Sequence, residues 1–241
     1  MNRFKTVFPQ RHAILPVVHV AEADPKLALE NVLLAREAGA DGVFLINHEG
    51  KAGYLLGLYA EVVEKVPDWW IGLNLLGVSP MRIFDLIARV TPLRPHGLWT
   101  DTGLIREGSA DQPEAELVLD RRREKWPTWD GLYFGGVAFK YQNAVKDVAA
   151  VAKAAVPFMD VVTTSGPATG SAADPDKIRL MKIAMGDSPL AIASGLTVDN
   201  VHEFLPWASA LLVATGVSKS FTQLDGPKLR AFVDRVRSAK S

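Results

Sequence analysis

Short apolar runs alternate with amphipathic segments along the whole chain. Each run is rich in branched aliphatic or aromatic residues, and each is followed by a segment whose apolar residues recur every three or four positions. The first pattern is typical of buried strands, and the second is typical of helices that cover a sheet. The pattern predicts eight strands, at residues 13–20, 42–46, 70–75, 97–100, 131–139, 159–164, 190–193 and 210–214.

Capping residues mark the segments between these runs. Asp24-Pro25 and Ser79-Pro80 each place a capping side chain before a proline, which favours the first turn of a helix. Gly39 follows the first of these segments and is a typical helix stop. The sequence predicts helices at residues 25–38, 55–67, 80–90, 113–126, 143–155, 174–184, 198–205 and 226–238.

Alternating strands and helices predict a parallel sheet with the helices packed around it. A doubly wound open sheet is the alternative, but it would normally carry a glycine fingerprint after the first strand, and none is present. The length of 241 residues suits a single (β/α)8 TIM barrel over residues 1–241, with residues 1–12 as an N-terminal lead-in. Pro16 lacks an N–H group, so we expect the first strand to start there or to pair irregularly around it.

Composition and charge exclude several classes of protein. The chain has 27 basic and 27 acidic residues, so it has no bulk field that would attract nucleic acid or a membrane. It has no cysteine, which excludes disulfides, thiolate nucleophiles and cysteine-ligated zinc. No apolar run reaches the roughly 18–20 residues that span a bilayer, and the first residues do not resemble a signal peptide. We therefore expect a cytoplasmic protein. The chain has several tryptophans, and a homo-oligomer is one way in which such large apolar side chains could be buried.

Polar residues follow the predicted strands, where a barrel brings its functional side chains to one mouth. His19, Glu49, Asp101 and Lys140 are the candidate catalytic residues, because imidazole, carboxylate and amine groups transfer protons or bind anions. Each has a structural alternative: His19 and Asp101 could order a turn, and Glu49 and Lys140 could be solvated charges. These groups lack the short spacing of a zinc site, so we expect no metal.

Amide and hydroxyl residues at the same ends are candidate substrate-binding groups. Asn47, Asn74 and Thr164 offer donors and acceptors for a substrate hydroxyl or carbonyl. The alternative is that the asparagines order the turns that follow their strands.

A hydroxyl residue and a glycine end each of the last three predicted strands. Glycine lets backbone N–H groups face an anion at close range, and a neighbouring hydroxyl adds a donor. Glycine also ends strands for turn geometry alone, but three successive instances favour a phosphate site. The predicted phosphate-binding residues are Ser165, Gly166, Ser194, Gly195, Thr215 and Gly216.

The segments VVTTSGPATG, SGLTVDNV and LLVATGVSKS resemble the corresponding turns of the BtpA/SgcQ family, and VVHV, LINHEG, GLNLL and DTGLIREG extend the likeness over the chain. The sequence resembles a diverged member of that family. The resemblance implies a phosphate-binding TIM barrel, related in style to phosphoribosyl isomerases and aldolases. One branch of the family is associated with photosystem I assembly, and another is found among sugar-metabolism proteins.

These observations predict an enzyme that acts on a small phosphorylated sugar or nucleotide-like compound. Isomerase or lyase chemistry fits, because acid–base groups at a barrel mouth can perform it without a cofactor. The alternative is a non-catalytic assembly or stability factor that keeps the barrel and its anion site.

Overall fold

Nine parallel strand segments form the sheet in the computed structural model, which describes residues 3–239. They are β1 (Ala13–Ile14), β2 (Val17–Val20), β3 (Gly42–Asn47), β4 (Trp70–Asn74), β5 (Gly97–Thr100), β6 (Leu132–Gly136), β7 (Val161–Ser165), β8 (Leu190–Ala193) and β9 (Ala210–Leu212). Neighbours in sequence are neighbours in space from β2 to β9, as expected for a barrel.

The first barrel strand closes the sheet on itself. Its first segment, β1, pairs with β9, and its second segment, β2, pairs with β3. Pro16 separates the two segments, and its carbonyl still accepts a hydrogen bond from the Phe44 amide. The predicted irregularity at Pro16 is therefore confirmed, and the eight predicted barrel strands are all present.

Eight α-helices are described, and most of them lie where the sequence predicts them. They are α1 (Arg3–Val7), α2 (Pro25–Glu37), α3 (Ala52–Lys65), α4 (Pro80–Val90), α5 (Pro113–Lys125), α6 (Val148–Ala155), α7 (Pro175–Met185) and α8 (Gly226–Arg237). Among the described helices, none is long and apolar enough to cross a membrane.

Two predicted helices are wrong in extent. The predicted helix at 143–155 begins only at Val148, because the Glu107 carboxylate accepts the amides of Lys146 and Asp147 outside a helix. The predicted helix at 198–205 is reduced to a 3-10 turn at Val201–Glu203. There the side chains of Thr197 and Asn200 bond each other's backbone amides, which competes with helical pairing.

Side chains alternate between the barrel interior and the layer beneath the helices. Phe44 lies at the centre of the interior and meets Trp70 and Phe134 edge-on, with ring centroids 5.1 Å apart in each pair. Phe4 and Phe8, at the N-terminal lead-in, join this interior cluster, and the Phe8 ring lies 5.2 Å from Trp70. The lead-in therefore closes the N-terminal end of the barrel and leaves the C-terminal end open.

Candidate functional site

A cavity of about 210 Å³ opens at the C-terminal end of the barrel. Its walls are formed by the last inward-facing residues of several strands and by the loops that follow them. Of the predicted site residues, those that line the cavity are His19, Asp101, Lys140, Ser194 and Thr215. Residues from the first, fourth, fifth, seventh and eighth barrel strands thus come together around one space.

Asp101 provides a half-buried carboxyl group on one wall. The Asn74 side-chain amide donates to its Oδ1 at 2.9 Å. Burial raises the pKa of Asp101 above its usual value, although the Asn74 hydrogen bond and the Lys140 charge oppose this. A carboxyl group with a raised pKa exchanges protons nearer to neutral pH, which suits a general acid or base.

Close backbone packing fixes the position of Asp101. Gly136 approaches so closely that a Cβ there would lie 2.1 Å from the Asp101 carbonyl oxygen. The Gln142 side chain donates to the same oxygen at 2.7 Å. The carboxyl group is therefore held by its backbone as well as by Asn74.

Lys140 supplies the cationic end of the cavity. Its Nζ donates to Thr169 Oγ1 at 3.1 Å and to Ser194 Oγ at 3.4 Å. Thr215 lines the cavity in the same region, after the last strand. An ammonium group surrounded by hydroxyls is a suitable partner for a phosphate or carboxylate.

Two histidines and an aromatic residue form the rim on the opposite side. The His19 ring centroid lies 4.8 Å from that of His48 and 4.2 Å from that of Phe221. Burial, and to a lesser extent the charges of His48 and Lys140, lower the pKa of His19 to about 3. His19 is therefore a neutral imidazole at neutral pH, which can donate or accept a hydrogen bond but carries no charge.

The turn after the seventh barrel strand is strained. Ser194 has a φ of +73°, which non-glycine residues rarely adopt and which often marks functional positions. Within residues 3–239, the backbone amides of Ser194, Gly195, Thr215 and Gly216 donate to no other group. Of these four residues, Ser194 and Thr215 line the cavity.

The other predicted phosphate-binding residues lie beside the cavity and not on its wall. Ser165 is fully buried, and its Oγ accepts the Lys140 amide at 2.8 Å. Gly166 lies with Ser165 in a second depression, which Lys140 also lines. Gly195 and Gly216 pack against neighbouring loops, and a Cβ on Gly195 would lie 2.2 Å from the Ala172 nitrogen.

Three more predicted residues face away from the cavity. Asn47 is buried and bonds the Val20 carbonyl and the Lys51 amide, so its side chain orders the turn, which is the structural alternative. Thr164 donates to the Ala138 carbonyl at 3.2 Å. Glu49 is exposed, with its carboxylate 3.8 Å from the Lys51 Nζ.

Sequence reasoning missed several residues of the site. Trp99 lines the cavity and precedes Asp101 by two positions, so strand alternation could have identified it. Of the consecutive pair His48 and Glu49, only one can point inward; the sequence reasoning preferred Glu49, but His48 lines the cavity. Tyr141, Thr169 and Phe221 come from loops and carried no such signal.

No three acidic or histidine side chains gather to form a metal-binding group in residues 3–239. The chemistry available to these residues is therefore that of one carboxyl group, one ammonium group, two imidazoles and several hydroxyls. Such a set can bind an anion at one end and transfer a proton at the other.

The chain is similar in structure to several known TIM barrels. A phosphoribosyl anthranilate isomerase from Thermus thermophilus is 16% identical, with a TM-score of 0.64 over 95% of this chain and 100% of that one. A tryptophan synthase from Mycobacterium tuberculosis is 15% identical, with a TM-score of 0.66 over 98% of each chain.

A third structure is a phosphoribosyl anthranilate isomerase in complex with reduced 1-(o-carboxyphenylamino)-1-deoxyribulose 5-phosphate. It is 14% identical, with a TM-score of 0.63 over 94% of this chain and 99% of that one. No protein-family model and no curated protein sequence matches the chain. At these identities the likeness shows the fold, and by it the chain is a (β/α)8 TIM barrel.

Proposed function

We propose that this protein is an enzyme that binds a small phosphorylated sugar or nucleotide-like compound at the barrel mouth and acts on it as an isomerase or lyase. Lys140 and the hydroxyls around it hold the phosphate, and Asp101 transfers a proton on the carbon chain. His19 and Asn74 orient the substrate and the carboxyl group.

The observation that carries this proposal is that a carboxyl group and an ammonium group line the same small cavity. Asp101, with its raised pKa, and Lys140, with two hydroxyl partners, both line the space of about 210 Å³. Ser194, whose Oγ accepts from Lys140, and Thr215 line the same cavity, and their backbone amides donate to no other group within residues 3–239. An anion bound there would leave its carbon chain facing Asp101.

The location of the cavity supports the same function. Phosphate sites in TIM barrels are frequently formed by the loops after the last two strands, and Ser194 and Thr215 occupy these loops. The phosphoribosyl anthranilate isomerase described above binds a ribulose 5-phosphate derivative. Membership of the BtpA/SgcQ family is part of the proposal, since the quoted turns support it.

Hydrogen exchange into candidate substrates tests the catalytic role. The protein is incubated in D2O with ribose 5-phosphate, ribulose 5-phosphate and related sugar phosphates, while proton NMR follows exchange and product formation. We expect turnover or C–H exchange with at least one compound. Asp101→Asn should slow it roughly a hundredfold or more, because a positioned acid–base group contributes about that much.

The matched control is Asp120→Asn, since Asp120 is an exposed carboxylate on α5. That variant should react like the wild type. Binding without chemistry across the whole panel would favour the non-catalytic assembly factor, and an absence of binding would reject the phosphate site.

A further inference from the structure

The backbone on either side of Lys140 is strained. Ala138 has a φ of +46° and Tyr141 a φ of +64°, and neither is a glycine. Such conformations are costly and persist only where surrounding contacts hold them. The segment that aims Lys140 into the cavity therefore depends on support from outside itself.

Lys177 supplies much of that support. It lies on α7, and its Nζ donates to the Ala138 carbonyl at 2.5 Å and to the Ser165 carbonyl at 2.8 Å. Thr164 Oγ1 donates to the same Ala138 carbonyl. Ser165 in turn accepts the Lys140 amide through its Oγ at 2.8 Å. One ammonium group thus bridges the ends of the fifth and sixth barrel strands behind Lys140.

This arrangement places an ammonium group in a poorly solvated position. Burial lowers the pKa of Lys177 to about 8, and Asp174 opposes the shift. The other titratable groups that line the same depression are Lys140 and Tyr141. Burial of a charge is unfavourable unless it is hydrogen-bonded, and here two backbone carbonyls accept hydrogen bonds from the ammonium group.

We propose that Lys177 is a positioning residue for the anion site: its bridge between the Ala138 and Ser165 carbonyls holds the strained turn that points Lys140 at the substrate phosphate. The proposal rests on the function proposed above. Lys177 touches no substrate, and it acts only through Lys140. Its protonated form is required, because a neutral amine is a weaker donor to two carbonyls.

Lys182 offers a matched control on the same helix. It is also half-buried, it donates to the Ser188 carbonyl at 2.7 Å, and burial lowers its pKa as well. It does not line the cavity or the depression beside it. A change at Lys182 therefore tests the loss of a half-buried lysine without disturbing the turn at Lys140.

Calorimetric titration with ribulose 5-phosphate and with inorganic phosphate tests the proposal. At pH 7 we expect Lys177→Met to weaken binding of both probes roughly tenfold or more, and Lys182→Met to leave binding unchanged. Between pH 7 and 9.5 the wild type should lose affinity with a midpoint near 8. Lys177→Arg, which stays charged, should lack that step.

Each other outcome overturns the inference. Wild-type affinity for Lys177→Met, or equal losses in the two methionine variants, would show that the bridge is merely structural. A pH step that persists in Lys177→Arg would assign the ionisation to another group. If the wild type binds neither probe, the proposed function fails, and this inference fails with it.

Discussion

At the scale of single residues, the surroundings of His19 decide its chemistry. It is 8% exposed and contacts the His48 and Phe221 rings, with Nδ1 unpartnered within residues 3–239. Since its pKa is lowered to about 3, it cannot act as a charged acid at neutral pH. It can polarise a substrate oxygen as a neutral donor, while Asp101 carries the proton.

The lowered pKa of His19 makes the folding stability depend on pH. In the unfolded chain His19 takes up a proton below about pH 6.5, whereas in the folded chain it does so only near 3. Its contribution to stability is therefore present above pH 6.5 and is lost as the pH falls toward 3. Between pH 7 and 4.5 the wild type should lose roughly 2 kcal/mol more unfolding free energy than His19→Gln.

Urea unfolding at the two pH values measures this difference. His202→Gln is the control, because His202 is exposed, and it should lose stability like the wild type. Equal acid sensitivity of His19→Gln and wild type would contradict the burial of a neutral imidazole.

Strand parity explains which site residues the sequence located and which it did not. Neighbouring residues of a strand face opposite sides, so a shift of one position exchanges the interior for the helix layer. Asp101 and His19 share the parity of the interior residues Trp99 and Val17, and both line the cavity. Glu49 and Thr164 have the opposite parity, and apolar periodicity does not define the last residue of a strand closely enough to count from it.

At the scale of elements, the loops after β7 and β8 pack against each other without space for a side chain. Gly195 has a φ of +67°, and a Cβ there would lie 2.2 Å from the Ala172 nitrogen. Sequence reasoning assigned this glycine to an anion, and the structure gives it this packing contact as well. The strand–glycine pattern alone cannot separate these two causes, because both require a residue without a side chain.

A pair of glycine substitutions separates close packing from ordinary helix propensity. Gly195→Ala should lower the unfolding free energy by about 3 kcal/mol, because a positive φ and backbone overlap are both unfavourable for alanine. Gly57→Ala, in the middle of α3 with open space around it, should raise stability by about 1 kcal/mol. Urea unfolding measures both changes. An unchanged unfolding free energy in Gly195→Ala would contradict the close contact between the two loops.

Element boundaries also show where prediction from sequence stops. The eight strands and most helices follow from apolar periodicity and capping residues, which are local signals. The helix predicted from residue 143 starts only at Val148, and just before it Glu107, far away in sequence, accepts the amides of Lys146 and Asp147. Such a tertiary contact leaves no trace in the periodicity of the segment itself.

At the scale of the whole molecule, the closed barrel brings the ends of different strands together in one site. Its first strand closes the sheet by pairing with β9 and β3, and the lead-in fills the opposite end with Phe4 and Phe8. The open end then holds Asp101 and Lys140 around a shared cavity. The order of strands predicts this meeting, but the loop residues that complete the walls depend on folded loop conformations.

A crystal structure of the protein with bound ribulose 5-phosphate tests the central claim most directly. The account predicts the phosphate within hydrogen-bonding distance of Lys140 Nζ and Ser194 Oγ, with the carbon chain directed toward Asp101. A phosphate bound instead in the depression beside Gly166 and Lys177, or a mouth that stays empty at saturating ligand, would contradict it.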